Sequence, residues 1–303
     1  ADDINALLDM RTPTQPALES LNCCLRHYQE TGLAWLYFLT TNKLGGLLCD
    51  DMGLGKTHQT MALMTALIEE QNEDRPFLVV CPTSVLSHWE SKIKMFALAL
   101  KPIIYHGTER ELEEHHGKGD VIITSFGIMR RDLALLCKYD FAVVTFDEIQ
   151  YLKNNKTKSY KAACELGAGV KIGLTGTPIE NSLGELKSLF DVVLPGYLGT
   201  DRDFKEKYLQ PIEDFGDAKR RSELHRIITP FTLRRLKEAV LDELPPKIED
   251  IRMCELSKEQ AGLYKKAIST QAESLKAALQ NGNEKIPYMH IFSLLGLLKQ
   301  ICN

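Results

Sequence analysis

The sequence predicts an α/β fold: a central, mostly parallel sheet flanked by helices, followed by a helical carboxyl-terminal part. Between residues 44 and 174, short continuous apolar runs alternate with helical stretches. Strands that are buried on both faces have such continuous runs, because crossover helices cover both sides of a parallel sheet. Beyond residue 196 the strand-like runs stop, and the sequence becomes helical and charged.

The predicted elements follow one another without internal repeats. Strands are predicted at 44–48, 77–81, 103–105, 121–124, 141–146 and 171–174, and helices at 25–39, at 57–70, from near Ser84, at 257–280 and at 288–301. The predicted organisation is an amino-terminal extension at 1–20, an α/β lobe at 21–196, a helical protrusion at 197–246 and a helical linker at 247–303. Ligands of such sheets bind beyond the carboxyl ends of the strands, so the residues after each run are the first candidates for a site.

Length and composition exclude several classes of protein. The 303 residues fit one large domain or two small ones, and 44% hydrophobic with 26% charged residues is ordinary for a globular protein. The net charge of -4 argues against a globally basic nucleic-acid footprint and leaves only a local one. The eight cysteines have no metal-ligand spacing, which indicates reduced thiols in a cytosolic or nuclear compartment. No apolar stretch is long enough for a transmembrane helix.

A glycine-rich segment, DDMGLGKT, follows the first strand-like run and opens the next helix. Gly53 and Gly55 allow backbone N–H groups to approach phosphate oxygens closely, and the helix amino terminus adds its dipole. Lys56 can reach the β- and γ-phosphates, and the Thr57 hydroxyl can bind Mg²⁺. Asp50 stands where the usual phosphate loop has a glycine. The alternative is a glycine-rich turn that only caps a helix.

An acidic pair, Asp147 and Glu148, ends the run at 141–146. A strand that ends in two carboxylates places them at the same sheet edge as the loop. Asp147 would then hold Mg²⁺ through water, and Glu148 would orient and deprotonate an attacking water molecule. An isolated acidic pair is usually a solvated strand end, but its order along the chain after the loop favours nucleotide hydrolysis.

These motifs resemble those of helicase superfamily two. Their particular residues are similar to those of the Swi/Snf-type DNA-translocating and chromatin-remodelling ATPases. The other similar segments are VCPTS at 80–84 with WE at 89–90, ITSF at 123–126, LKN at 152–154, LTGTPIEN at 174–181, LRRLK at 233–237 and LPPK at 244–247. One departure is the sequence Asp-Glu-Ile-Gln in place of the commoner Asp-Glu-Ala-His. The resemblance covers nearly the whole chain from about residue 21 onward.

The resemblance implies a RecA-like P-loop lobe that binds ATP and Mg²⁺ and hydrolyses ATP to ADP and phosphate. Gln29 resembles the glutamine that recognises the adenine edge in this family, whereas on the sequence alone it reads as a surface residue of an amphipathic helix. Gln150, Thr175, Gly176 and Thr177 correspond to positions that couple the nucleotide state to the grip on DNA.

The resemblance also implies double-stranded DNA as a partner, bound through its backbone and independently of sequence. The residues expected to make these contacts are Pro82, Thr83, Ser84, Thr124 and Ser125, although Ser84 and Ser125 suit helix capping equally well. A second basic group remains open: Arg234, Arg235 and Lys237 fit a basic contact, a coupling element or a solvated helix face.

Proteins of this family hydrolyse ATP between two RecA-like lobes, and the second lobe supplies arginines that stabilise the transferring phosphate. The sequence shows no second phosphate loop, so we expect a monomeric first lobe with its protrusion and the start of the linker. We expect it to bind ATP weakly and to hydrolyse it poorly, with little stimulation by DNA. We expect it to be cytoplasmic if the source is a bacterium, which the sequence of these segments slightly favours, or nuclear if the source is a eukaryote. We expect no membrane contact.

Three functions compete on the sequence. The leading one is an ATP-dependent translocase on double-stranded DNA that remodels protein–DNA complexes without separating the strands. The second is a helicase that separates RNA or DNA strands, which a strand-displacement assay would distinguish from the first. The third is a nucleic-acid-binding scaffold with a dead ATPase, against which the intact Lys56, Thr57, Asp147 and Glu148 argue.

Overall fold

The computed structural model describes residues 16, 18–112, 117–176, 182–240, 254–280 and 288–302. They belong to two compact units, one formed by residues 1–244 and the other by residues 245–303. The first unit holds one parallel sheet of seven strands in the order β3-β4-β2-β5-β6-β1-β7. Its strands are β1 Gly46–Leu48, β2 Phe77–Cys81, β3 Lys101–Ile104, β4 Asp120–Ser125, β5 Val143–Asp147, β6 Val170–Leu174 and β7 Thr232–Leu233.

Helices cover both faces of this sheet. They are α1 His27–Thr41, α2 Lys56–Glu70, α3 Leu86–Phe96, α4 Phe126–Arg131, α5 Leu133–Leu136, α6 Lys158–Glu165, α7 Leu183–Val193, α8 Asp201–Phe204, α9 Gln210–Glu213, α10 Ala218–Ile228 and α11 Lys237–Val240. A π-helical turn, Lys205–Leu209, joins α8 to α9, and short 3₁₀ turns lie at Thr83–Val85, Ile149–Leu152 and Thr229–Phe231.

The core lies in two layers, one on each face of the sheet. Consecutive strand residues alternate between them: Leu78 and Val80 of β2 pack into one apolar cluster, whereas Phe77 and Val79 pack into the other. All of these side chains are fully buried. The continuous apolar runs are therefore strands buried on both faces, and the predicted α/β fold with a parallel sheet is confirmed.

One strand was not predicted. Between α10 and α11, Thr232–Leu233 form β7, which pairs in parallel with β1 at the edge of the sheet. Two residues are too few to produce a periodic pattern, so only the pairing with β1 defines this strand. The chain thus leaves the sheet for the helices at 201–228 and returns to it, directly beside the strand that leads into the glycine-rich segment.

The second unit contains two helices, α12 Lys258–Gln280 and α13 Tyr288–Cys302, close to the predicted bounds. Near the start of α12, Gln260 Nε2 donates a hydrogen bond of 3.0 Å to the carbonyl of Ile301, near the end of α13. The two helices therefore run in opposite directions along one another. In the described part of the chain, no helix is both long and apolar enough to span a membrane.

Candidate functional site

The sequence motifs meet at the carboxyl edge of three neighbouring strands. β1 leads into the glycine-rich segment, β5 ends in Asp147, and β6, which pairs with both, continues into Thr175 and Gly176. A Cβ added to Gly176 would lie 3.3 Å from Lys56 Nζ. The end of β6 therefore reaches the lysine of the loop, and a Cβ at position 176 would also press against Met52, at 2.6 Å from its Cγ.

The loop has the backbone of a phosphate cradle. Gly53 and Gly55 adopt φ of 87° and 77°, in the left-handed region that glycine tolerates. Gly55 is also the N-cap of α2, so Lys56 and Thr57 form the first turn of a 15-residue helix whose amino terminus favours anions. A Cβ at Gly55 would lie 2.3 Å from Gln29 Nε2, so a side chain there would clash with α1.

Lys56 lies folded onto its own loop. Its ammonium group donates hydrogen bonds to the carbonyls of Asp50 at 2.7 Å and Asp51 at 3.2 Å. Burial lowers the pKa of Lys56, and the nearby carboxylates of Glu148, Asp50 and Asp147 oppose that shift. The lysine and the acidic pair are therefore close enough to interact electrostatically across the sheet edge.

The acidic pair is held by two side chains that the sequence did not assign to this task. Trp89 Nε1 donates to Asp147 Oδ2 at 2.9 Å, and Gln150 Nε2 donates to Glu148 Oε2 at 2.5 Å. Burial raises the pKa of Asp147, while the Trp89 hydrogen bond opposes the shift. Glu148 has φ of 54°, a left-handed conformation that costs free energy in a non-glycine residue. Such strain is typical of functional sites.

The surroundings of Asp50 explain why an aspartate stands where the usual phosphate loop has a glycine. Its carboxylate is completely buried. It accepts hydrogen bonds from Arg235 Nε at 2.9 Å, from Arg235 NH2 at 2.5 Å and from Gln59 Nε2 at 3.2 Å. The guanidinium also donates to the carbonyl of Tyr28 and to Gln59 Oε1. This arrangement, which we call the Asp50–Arg235 clasp, ties together the loop, α1, α2 and the segment after β7.

Gln29 lies against the loop, as its resemblance to the adenine-recognising glutamine requires. Its Nε2 donates to the carbonyl of Leu54 at 3.1 Å, and its Oε1 accepts from the backbone N–H of Arg26 at 2.9 Å. The Tyr28 hydroxyl donates to the same Leu54 carbonyl at 3.2 Å. Gln29 thus connects the start of α1 to the loop, and its recognition of adenine stays a prediction.

The residues expected to contact DNA separate into two groups. Thr83 and Ser84 lie exposed in the turn after β2, next to the half-buried Pro82, at the same sheet edge as the loop. Thr124 is fully buried, and its hydroxyl donates to the Tyr105 carbonyl at 2.8 Å. Ser125 is buried and accepts from the backbone N–H of Ile128 as the N-cap of α4. These last two hydroxyl groups serve the fold, so among the five residues expected to contact DNA the accessible ones are those of the turn at 82–84.

The expected coupling residues that the structure describes lie at the carboxyl edge of the sheet, near the loop or the acidic pair. Thr175 is buried, and its N–H donates to the carbonyl of Leu48 at 3.1 Å, which extends the pairing of β6 with β1. Gly176 contacts the loop, and Gln150 contacts Glu148. Thr177 lies outside the described residues. The role of all four in coupling stays a prediction.

The arrangement fits a magnesium-bound nucleoside triphosphate. The site has the groups that suit phosphate: a helix amino terminus, a loop with two left-handed glycines, and the ammonium group of Lys56. The Thr57 hydroxyl and the Asp147 carboxylate are oxygen ligands of the kind that Mg²⁺ prefers. When bound, the metal would neutralise charge on the β- and γ-phosphates. Glu148 is the other carboxylate of the acidic pair, and its oxygens can accept a proton from a water molecule.

We expect Trp89→Phe to raise the Mg²⁺ concentration needed for half-maximal ATP hydrolysis by about tenfold, because Asp147 loses the donor that orients it. A magnesium titration at saturating ATP measures this. Trp35→Phe is the matched control. It also removes an indole hydrogen bond, the one of 3.0 Å from Trp35 Nε1 to the Pro230 carbonyl, but this bond does not involve Asp147. An unchanged magnesium requirement in Trp89→Phe would show that the indole does not position Asp147.

Comparisons with known proteins identify the family of the chain. The family model of the SNF2-related domain matches residues 28–303. The chain is 37% identical to the TATA-binding protein-associated factor MOT1 of Saccharomyces cerevisiae, over 94% of the chain and 17% of that protein. It is also 37% identical to the putative ATP-dependent helicase/translocase YwqA of Bacillus subtilis, over 96% of the chain and 32% of that protein.

A solved structure matches as well. The SWI2/SNF2 ATPase core of Sulfolobus solfataricus in complex with dsDNA aligns with a TM-score of 0.70 and 37% identity, over 95% of this chain and 60% of that one. The chain therefore spans well under half of the two protein relatives named and about three fifths of the matched core. With the RecA-like fold, the phosphate loop and the acidic pair in place, the chain belongs to the SNF2-related family of helicase-like ATPase domains.

Proposed function

We propose that the chain is the ATP-binding lobe of an ATP-dependent translocase on double-stranded DNA that remodels protein–DNA complexes. The observation that carries this proposal is the junction of Lys56, Asp147, Glu148 and Gly176 at one sheet edge, in a chain of the SNF2-related family. Lys56 and the loop N–H groups bind the triphosphate, Thr57 and Asp147 hold Mg²⁺, and Gln29 selects adenine. Glu148 aligns the attacking water and accepts its proton.

The proposed DNA surface is the exposed turn at Pro82, Thr83 and Ser84. Short hydroxyl groups and free backbone N–H groups at a helix start suit phosphodiester oxygens, and such contacts carry no base information. The matched ATPase core was solved in complex with dsDNA, which supports a duplex as the partner. Gln150, Thr175 and Gly176 are proposed to couple the nucleotide to this surface, because Gln150 contacts Glu148, Gly176 contacts the loop and Thr175 joins β6 to the strand that leads into the loop.

A second RecA-like lobe in the same full-length protein is the other proposed partner. Hydrolysis of this kind needs a cation on the far side of the transferring phosphate. Arg235, whose guanidinium lies beside the loop, is already paired with the buried Asp50. The matched ATPase core extends well beyond the part that this chain covers. We therefore expect the chain alone to bind MgATP and to hydrolyse it slowly, with little stimulation by DNA.

The test is a triplex-displacement assay with the protein that carries both lobes. We expect ATP-dependent removal of a third strand from linear duplex DNA, hydrolysis stimulated by that duplex, and no separation of the two duplex strands. Lys56→Ala should abolish displacement. Separation of a forked duplex or of an RNA hybrid would instead favour the strand-separating helicase. DNA binding without any ATP dependence would favour the scaffold.

A further inference from the structure

We propose that Lys237 is a nucleotide-binding residue, whose ammonium group contacts the phosphates of the nucleotide held by the loop. This inference rests on the proposed function and adds a residue to the same site. It also gives two of the basic residues after β7 different roles. The Arg235 guanidinium is bound to the buried Asp50, whereas the Lys237 ammonium group would contact a ligand.

The backbone after β7 runs alongside the loop. The N–H of Cys49 donates to the Leu233 carbonyl at 2.7 Å, and the N–H of Asp51 donates to the Arg235 carbonyl at 3.0 Å. The N–H of Lys237 then donates to Asp51 Oδ2 at 3.0 Å. This parallel ladder, together with the buried Asp50–Arg235 clasp, fixes Lys237 beside the loop.

The side chain of Lys237 lies over the first of the two left-handed glycines. A Cβ added to Gly53 would lie 3.3 Å from both Cε and Nζ of Lys237. Gly53 thus leaves the space that the lysine uses. Lys237 is exposed, and in the part of the chain that the structure describes no carboxylate forms an ion pair with its ammonium group.

The neighbouring cations differ from Lys237 in this respect. Arg235 is neutralised by Asp50, and Lys56 is tied to two carbonyls and lies near three carboxylates. A phosphate chain bound to the loop N–H groups would bring several negative charges to the lysine, and a lysine acts on them as a compact point charge. Its contribution should therefore grow with the number of phosphates on the nucleotide.

The experiment measures the dissociation constants of ATP, ADP and AMP by calorimetry, with Mg²⁺ present, for the wild-type chain and for Lys237→Ala. We expect Lys237→Ala to bind ATP about fivefold more weakly, ADP more weakly by a smaller factor, and AMP with almost unchanged affinity. Lys237→Arg should recover most of the loss, because it keeps the charge. Lys101→Ala is the matched control, since Lys101 is an exposed lysine that begins β3, at the amino edge of the sheet. It should bind all three nucleotides like the wild type.

The outcomes separate this inference from the proposed function. A wild-type chain that binds no MgATP overturns both. Equal ATP affinity in the wild type and in Lys237→Ala overturns the inference alone. An equal loss for ATP, ADP and AMP also overturns it, because a general disturbance of the loop would not depend on the number of phosphates. A loss of duplex DNA affinity with normal ATP affinity would assign Lys237 to the nucleic acid instead.

Discussion

Replacing Glu148 by glutamine is expected to lower ATP hydrolysis by about 10²- to 10⁴-fold in the protein that carries both lobes, with ATP affinity changed by less than about twofold. Glutamine cannot accept the proton of the attacking water, but its amide oxygen can still accept the hydrogen bond from Gln150 Nε2. The phosphate contacts of Lys56 and the magnesium ligands remain in place. Steady-state hydrolysis and an ATP titration on the same preparation measure the two effects separately.

Glu165→Gln is the matched control for this prediction. Glu165 is an exposed carboxylate in the last turn of α6, just before β6 begins, and so at the amino edge of the sheet, opposite the site. Its substitution should leave both hydrolysis and binding unchanged. If Glu148→Gln kept more than about a tenth of the activity, Glu148 would not be the general base. If it lost ATP binding as well, its role would be in forming the pocket.

Arg235→Met is expected to lower the free energy of unfolding by about 3–5 kcal/mol, because it leaves the buried carboxylate of Asp50 without its partner. Asp50 is completely buried, and its carboxylate accepts hydrogen bonds from two nitrogens of this guanidinium. The loss should be seen at neutral pH. Urea unfolding of the first unit, followed by circular dichroism, measures it.

A double-substitution cycle isolates the ion pair from the rest of the contact. Asp50→Asn combined with Arg235→Met removes both charges, so it should recover much of the stability that Arg235→Met loses. Arg226→Met is the control, because Arg226 is an exposed arginine in the last turn of α10, and its effect should stay within about 0.5 kcal/mol. A loss in Arg235→Met no larger than this would mean that the clasp does not stabilise the loop.

The sheet and the central residues of the site could be predicted from the sequence, because both depend on local patterns. Continuous apolar runs identified the buried strands, and glycines next to a lysine, followed later by an acidic pair, identified one sheet edge. The resemblance to a known family was needed to single out Gln29, which rests on the loop. On its own, that residue looks like any polar position of an amphipathic helix.

Other features could not be predicted because they depend on contacts between distant parts of the chain. Asp50 and Arg235 are separated by 185 positions, and neither residue reveals a partner by local pattern. The indole of Trp89 reaches Asp147 from α3, the helix that follows the neighbouring strand β2. Thr124 has the residue type of a DNA contact, but the strand pleat turns its hydroxyl inward to the Tyr105 carbonyl. For the same reason, the two-residue strand β7 becomes visible only through its pairing with β1.

The central claim is that the carboxyl edge formed by β1, β5 and β6 binds MgATP through the phosphate loop. Titration of the chain with MgATP, compared with Lys56→Ala at the same protein concentration, tests it most directly. We expect one site in the wild-type chain, weaker binding without Mg²⁺, and at least about tenfold weaker binding in Lys56→Ala, where the cation for the β- and γ-phosphates is missing. No binding by the wild type, or equal affinity in both proteins, would contradict the account.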